Sequence, residues 1–428
     1  TTGAFAAQDS IVMLKGNAIP AGFDAQVAAL GGRVTGAHAG AGIAFVSGLS
    51  DEALAQLRAD GTIGLALPDF EAQVIPAFEG VSADEAYVSP DSPAAPQTAA
   101  FFARQWHHRA IGADIAWATG RLGSADVTVA ILDTGISYTH ADLAGRVDLA
   151  RSKSFVASDD ALVAAMFPGM HPVTDLHYHG THVAATVSSN ALAAAGVTSK
   201  VTLMGVKVLN VNGSGTFSNT INGVLYAADN GADVINMSLG GYFDKAGNGQ
   251  AVALINRAMN YAYRKGTLVV VSAGNESIDL DHDGNGYKTY CSAPNVVCVS
   301  ATGPTAQAGT NGPWANVDAF AGYSNYGRSA ISVAAPGGNA SAVWAGCSRT
   351  SLQIPVCRTG TFVVGLAGTS MASPHAAGVA ALLVEDIGHG RPSQVRSALQ
   401  KSADDLGQPG TDPFYGKGRI NAARAVGQ

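Results

Sequence analysis

VTVAILD, residues 127–133, decides the fold. Apart from Thr128, every residue before Asp133 is apolar, so an extended chain here is buried on both faces. VTLMGVKVL (201–209), ADVINMSLG (232–240) and TLVVVSAGN (267–275) are runs of the same kind. NTINGVLYAADNG (219–231) and AVALINRAMNYAYRKG (251–266) lie between them, have helical spacing and end at glycine. Strands buried on both faces and separated by helices predict an α/β fold, a parallel sheet covered by helices on both faces. Ligands of such sheets bind beyond the carboxyl ends of the strands. That rule selects Asp133, the turn of Ser238, Leu239 and Gly240, and Asn275, each closing a buried run.

Composition narrows the function classes. The chain has 428 residues, 47% hydrophobic and 13% charged, which suits a large buried body of two or three domains. A net charge of -7 without basic, aromatic-interleaved runs gives no reason to expect nucleic acid. The longest apolar runs, such as TLVVVSAG (267–274), are far shorter than a membrane span.

The first 80 or so residues read as a separate small α+β unit. IVMLKG (11–16), GIAFVSGL (42–49) and TIGLAL (62–67) are strands, and FDAQVAALGG (23–32) is a helix. Ser50 caps a second helix with Asp51 and Glu52 in its first turn, where the dipole favours acids. SPDSPAAPQTAA (89–100) has the composition of an exposed linker.

Three motifs carry reactive groups. LDTGI (132–136) sets a carboxylate at a strand end. Aspartic proteases also use Asp-Thr-Gly, but they need two such carboxylates, and no second Asp-Thr-Gly or Asp-Ser-Gly exists, so a dimer would have to supply it. HYHGTHVAA (177–185) offers His177, His179 and His182. A metal site there lacks matching acidic residues and the H-E-x-x-H spacing. With two of the histidines structural, the third is free to act as a base. GTSMASPHAAG (368–378) puts Ser370 among small residues at the start of a helix ending near Gly388. Ser370 is either a helix N-cap or a nucleophile placed where positive potential favours an oxyanion.

The order Asp133, His179, Ser370 in these contexts resembles the subtilisin family of serine peptidases. VAILDTGI, HGTHVA and GTSMASPHAAGVAALL are close to its three signatures, and NMSLGG (236–241) and SAGNES (272–277) match two more. The resemblance implies a subtilisin-like parallel sheet over 101–428, preceded by a ferredoxin-like prodomain at 1–80 and a linker at 81–100. Residues 11–75 match the prodomain, and GKGRINAARAV (416–426) resembles the usual ending. It implies Ser370 as nucleophile, His179 as base, Asp133 as its orienting carboxylate, His182 as structural and Asn275 as oxyanion donor. Substrate would add as a strand between Gly213, Ser214 and Gly215 on one side and Ser238, Leu239 and Gly240 on the other. Gly240, Ala273 and Gly274 would line an open, apolar pocket for the side chain before the cut. The family implies a secreted, monomeric endopeptidase acting on polypeptides, with no cofactor for catalysis and structural calcium as an option. Its prodomain would assist folding and inhibit until cut away between about Val74 and Ala100.

The chain departs from the family pattern in places. Ala185 replaces a common Gly after HGTHVA, and NALAAAG (190–196) lacks the polar ligands of the usual calcium loop near Asp142. A different calcium candidate is DLDHDGNG (279–286), with Asp279, Asp281 and Asp283 at alternate positions but Tyr290 where a twelfth-position Glu belongs. The four cysteines allow three connectivities, of which Cys291 with Cys298 and Cys347 with Cys357 would staple short loops and favour an oxidising compartment. Two rivals remain. One is a catalytically silent binding protein on the same scaffold. The other is a nucleophile-elbow esterase, disfavoured because Ala372 stands where G-x-S-x-G needs glycine.

Overall fold

The four buried runs become strands of one seven-stranded sheet in the computed structural model, which describes residues 8–75, 82–88, 95–241 and 243–428. Across the sheet the strands are Val333–Pro336, Val296–Thr302, Leu268–Ser272, Val234–Met237, Thr128–Asp133, Thr202–Lys207 and Lys153–Ser154. All pairings are parallel.

Side-chain alternation then builds two cores. Val129 and Ile131 face one layer, with Val183, Ala184, Met371 and Ala376 from the helices His179–Val187 and Thr369–Ile387. Ala130 and Leu132 face the other, with Phe217, Ile221, Leu254 and Ala258 from Phe217–Asp229 and Gly249–Arg264. Burying each large aliphatic side chain contributes about 1.5–3 kcal/mol. The Thr369–Ile387 helix packs so closely that a Cβ on Gly378 would lie 2.6 Å from Val197. No helix among the described residues is long and apolar enough to cross a membrane.

The N-terminal unit is an antiparallel sheet in the order Arg33–His38, Ile43–Leu49, Gln8–Leu14, Ile63–Pro68. Two helices, Phe23–Ala29 and Asp51–Arg58, cover one face, and Ser50 Oγ caps the second by accepting from Ala53 N–H at 3.2 Å. The other face lays Ile11, Ile43, Phe45 and Leu65 against the two helices of the large domain. Polar contacts frame this interface. Asp69 accepts from Ser218 N–H at 2.8 Å and from its hydroxyl at 2.5 Å, at the start of Phe217–Asp229, where the helix dipole favours a carboxylate. His38 lies 2.8 Å from both Asp229 and Asn222.

The expected linker is only partly a tether. Ser82–Glu85 forms a strand on Phe362–Leu366, and Pro96 and Ala99 are buried. Positions 1–7, 76–81 and 89–94, including parts of the expected prodomain and linker, lie outside the described residues, as does residue 242. Cys291 is bonded to Cys298 and Cys347 to Cys357.

The loop at 190–196 shows what replaces polar ligands around Asp142. Leu192 and Ala193 N–H donate to Asp142 Oδ1, each at 2.8 Å, and Ala194 N–H donates to Oδ2 at 2.9 Å. Three successive amides wrap the fully buried carboxylate, so both oxygens face N–H donors rather than a cation.

A buried histidine cluster predicts acid sensitivity. His107, His108 and His375 are fully enclosed; His107 Nδ1 lies 2.8 Å from His375 Nε2, and His375 Nδ1 lies 2.7 Å from the Met371 carbonyl. Burial lowers His108 to about 4 and His375 to about 3, holds His182 at about 3, and puts His107 well below its usual range. In the unfolded chain these groups titrate near about 6.5, so below that pH the unfolded state binds more protons. The stability they allow is complete above about 6.5 and is lost as pH falls towards their folded values. Each adds a slope of up to about 1.4 kcal/mol per pH unit. Thermal melts of a Ser370→Ala variant, immune to self-digestion, should give a Tm that falls steadily from pH 7 to 4. A flat profile would refute this account.

Candidate active site

Asp133 ends its strand and the chain turns at once through Thr134 and Gly135. The His179–Val187 helix begins directly on this turn, because a Cβ on Gly180 would lie 2.2 Å from the Gly135 carbonyl. The close approach brings His179 Nδ1 within 2.8 Å of Asp133 Oδ1, which also accepts from Thr134 N–H at 2.8 Å. Asp133 is fully buried and His179 nearly so.

A polar network that the motifs did not reveal supports the pair. Thr134 Oγ1 donates to Asp175 and accepts from Gly180 N–H, while Asp175 Oδ2 accepts from the amide and hydroxyl of Thr181. Beneath it, Lys207 Nζ donates to the Thr134 and Thr174 carbonyls and pairs with Asp159 at 2.7 Å. Burial raises the Asp175 carboxyl above its usual range, opposed by the Lys207 charge. The sequence signal was available, since Lys207 is a lone charge inside an apolar strand.

Of the other two histidines, His182 is fully buried with Nε2 3.0 Å from the Val343 carbonyl. His177 Nδ1 accepts from His179 N–H at 3.3 Å, and burial lowers its pKa to about 3.

Ser370 lies in the first turn of Thr369–Ile387. Pro374, four residues on, has no N–H for the Ser370 carbonyl. Ser238 supplies the missing donor, its hydroxyl reaching that carbonyl at 2.8 Å. Ser238 Oγ is itself held by Asn236 Nδ2 at 2.9 Å. Ser370 Oγ in turn donates to the Ser238 carbonyl at 3.3 Å, so among the described residues its bond goes to the cleft wall and not to His179. Rotation about χ1 between staggered wells re-aims a serine hydroxyl.

Asn275 Oδ1 accepts from Thr369 N–H and Oγ1, each at 2.9 Å. Because the Thr369 amide can only donate, the atom facing it is oxygen, which assigns Nδ2 to the other side. A Cβ on Gly368 would lie 3.5 Å from Asn275 Nδ2, 3.7 Å from its Oδ1 and 3.8 Å from Ser370 N, so the Asn275 amide and the Ser370 N–H both lie close to Gly368.

Ser238, Leu239, Gly240, Gly274, Asn275 and Ser370 border one small cleft, and Ile75 of the N-terminal segment reaches into it. Glu71–Val74 pairs antiparallel with Ser214–Thr216, and Ile75 N–H donates to the Gly213 carbonyl at 2.8 Å. A Cβ on Gly215 would strike the Val208 carbonyl at 2.4 Å, so this wall needs glycine there.

Three expectations need correction. Ala273 does not line the cleft; it is fully buried in the sheet layer, its N–H on Val299 and its carbonyl on Asn325. The pocket is not simply open and apolar, since Glu276 and Lys288 border it. Asp279, Asp281 and Asp283 do not converge on one point: Asp279 turns to His282, Asp281 to Ser329 and Asp283 to Lys245. Among the described residues the sole cluster with metal-ligand spacing is His107, His108 and His375. The acidic loop therefore does not fit the calcium expected of it.

Comparison with known proteins agrees with this geometry. The subtilase family model matches residues 124–418. Thermitase from Thermoactinomyces vulgaris is 35% identical over 330 residues, covering 76% of this chain and 97% of thermitase. The thermophilic serine proteinase of Bacillus sp. (strain AK1) is 34% identical over 73% of this chain, which spans 64% of that longer protein. The epidermin leader peptide processing serine protease of Staphylococcus aureus superposes over 98% of both chains with a TM-score of 0.73 at 21% identity, a likeness of fold. With a family model matched over more than half of its length and a relative 35% identical over 76% of it, the chain belongs to the subtilase family of serine endopeptidases.

Proposed function

We propose that the chain is the zymogen of a secreted subtilisin-like endopeptidase, with residues 1–80 as prodomain and Asp133, His179 and Ser370 as its catalytic triad. The observation that carries this reading is the strand Glu71–Val74, which lies on Ser214–Thr216 as an extended substrate would, with Ile75 lining the cleft that Ser370 borders. Strand addition binds backbone rather than sequence, so one groove serves both the prodomain and varied polypeptides. The two disulfides support an oxidising, extracytoplasmic setting.

In the reaction, Ser370 Oγ attacks the scissile carbonyl carbon while His179 Nε2 takes its proton. Asp133 holds Nδ1–H, so that Nε2 presents its lone pair, and stabilises the imidazolium that forms. The oxyanion sits between Asn275 Nδ2 and the Ser370 amide at the positive end of the helix. Collapse breaks the C–N bond as His179 returns the proton to the leaving amine. Water then attacks the acyl-enzyme with His179 again as base, releasing the carboxyl product and Ser370. No step needs a metal or cofactor.

A fluorophosphonate probe tests the assignment: it should label Ser370 in the processed protein and abolish casein hydrolysis in proportion. Hydrolysis that persists after full labelling would refute it, and absence of both labelling and hydrolysis would leave a silent scaffold. Asn275→Ala should lower kcat by roughly 10²–10³ with KM little changed, a size known for subtilisin itself. A rise in KM at constant kcat would instead place Asn275 in ground-state binding.

A further inference from the structure

We infer that Ser348 and Thr350 are positioning residues for the Asp133–His179 pair, acting through Asp175 from the tip of the hairpin that leads to the nucleophile. The inference rests on the triad reading above and extends it to residues outside the cleft.

The hairpin pairs Val343–Gly346 with Phe362–Leu366, the strand that runs on through Gly368 to Ser370. Its connecting loop, 347–361, is closed by the bond between Cys347 and Cys357, both fully buried. The crosslink restricts the shapes open to the loop. Inside it, Ser348 Oγ donates to the Asp175 carbonyl at 2.6 Å, and Thr350 Oγ1 donates to the same oxygen at 2.8 Å. A carbonyl oxygen has two lone pairs, so these two hydroxyls fill it. Leu352 N–H donates to the next carbonyl, that of Leu176, at 2.8 Å. Arg349 N–H donates to Ser137 Oγ at 3.0 Å, and Ser137 N–H donates to Thr181 Oγ1 at 3.0 Å. The loop therefore grips both segments that carry the Asp–His pair, 133–137 and 175–181.

Asp175 passes that grip on. Its Oδ1 accepts from His177 N–H and from Thr134 Oγ1, each at 2.9 Å. Its Oδ2 accepts from Thr181 N–H at 3.0 Å and from Thr181 Oγ1 at 2.5 Å. Thr134 follows Asp133, while His177 and Thr181 lie two positions to either side of His179. One carboxylate thus sets where the His179 helix starts relative to the Asp133 turn, and the 2.8 Å bond from Nδ1 to Oδ1 depends on that relation. Ser348, Thr350 and Asp175 are all buried, so water is poorly placed to replace a lost hydroxyl. A shift of about 1 Å at reacting groups can cost roughly 10²-fold in rate. Neither Ser348 nor Thr350 is among the described residues that border the cleft, so substrate binding should be spared.

Steady-state kinetics on a peptide substrate, normalised to the Ser370 labelled by fluorophosphonate, test the assignment. Ser348→Ala combined with Thr350→Val should lower kcat by roughly tenfold or more with KM little changed. Thr350→Ser, which keeps the hydroxyl, should retain the wild-type kcat. A double variant with wild-type kcat overturns the inference whether or not its Tm falls, because a loop that only satisfied a buried carbonyl would move Tm alone. Equal losses in Thr350→Ser and Thr350→Val overturn it too, since packing and not the bond would then matter. Should the double variant fail to fold, Thr350→Val alone decides: a several-fold lower kcat at constant KM sustains the inference, and an unchanged kcat overturns it. If Ser370 is unlabelled and hydrolysis absent in the wild type, the triad reading fails on its own. Hydrogen exchange then decides the positioning separately. The Gly180 and Thr181 amides, which donate to Thr134 Oγ1 and Asp175 Oδ2, should exchange at least tenfold faster in the variant, and unchanged exchange overturns the inference.

Discussion

Ser370→Ala is expected to lower peptide hydrolysis by roughly 10⁴–10⁶-fold and to leave the chain at its full mass, a loss of the size known for subtilisin itself. The substitution removes one oxygen and little volume. Its neighbours on the helix, Thr369, Met371 and Ala372, are buried and pack without it. The carbonyl of residue 370 still receives Ser238 Oγ, so the helix start should not shift. The variant loses the hydroxyl bond to the Ser238 carbonyl, a surface-side bond worth about 1 kcal/mol at most. A large fall in rate with an unchanged melt would therefore be chemical. Residual rate would remain, because Asn275 and the cleft still bind the oxyanion and orient the peptide. Full activity in the variant would exclude Ser370 as nucleophile. Unchanged self-processing in it would assign that cut to another protease.

The sheet and the Asp–His pair were legible because each rests on a local pattern with one physical solution. Runs such as VTVAILD have no polar face, so the sheet had to be covered on both sides. The strand Arg33–His38 was not legible, because Gly36 interrupts it and its polar residues resemble a loop; pairing with Ile43–Leu49 makes it a strand. Ser82–Glu85 is harder still. Its sequence, SADE, has little strand propensity, and only the free edge of Phe362–Leu366 gives it that form. The acidic loop misled for the opposite reason. Alternate carboxylates suggest a shared cation, but Lys245, Ser329 and His282 arrive from elsewhere in sequence or turn to claim them one by one. Lys207 and Asp175 fall between these cases. A lone buried lysine signals a partner, yet which carboxylate answers depends on how Lys153–Ser154 and the following helix fold over it.

Asp133→Asn should lower kcat by about 10⁴-fold at neutral pH while leaving KM and stability nearly unchanged. Asp133 Oδ1 accepts two bonds, from His179 Nδ1–H and from Thr134 N–H. An asparagine is isosteric, and one of its atoms must still accept from the Thr134 amide, which can only donate. If Oδ1 keeps that bond and turns its second lone pair to Nδ1–H, geometry survives but the negative charge that stabilises the imidazolium is gone. If instead Nδ2 faces the ring, Nδ1 must become the acceptor, and the proton moves to Nε2, where it blocks attack by Ser370. Either outcome disables the base without disturbing the network of Thr134, Asp175 and Lys207 below it. Rising pH distinguishes the two losses from simple misfolding. Hydroxide can take over part of the base's work, so the variant's rate should climb with pH beyond the range where wild type has levelled off. A variant with wild-type kcat would show that Asp133 only packs the histidine, and one that melts far below wild type would make its role structural.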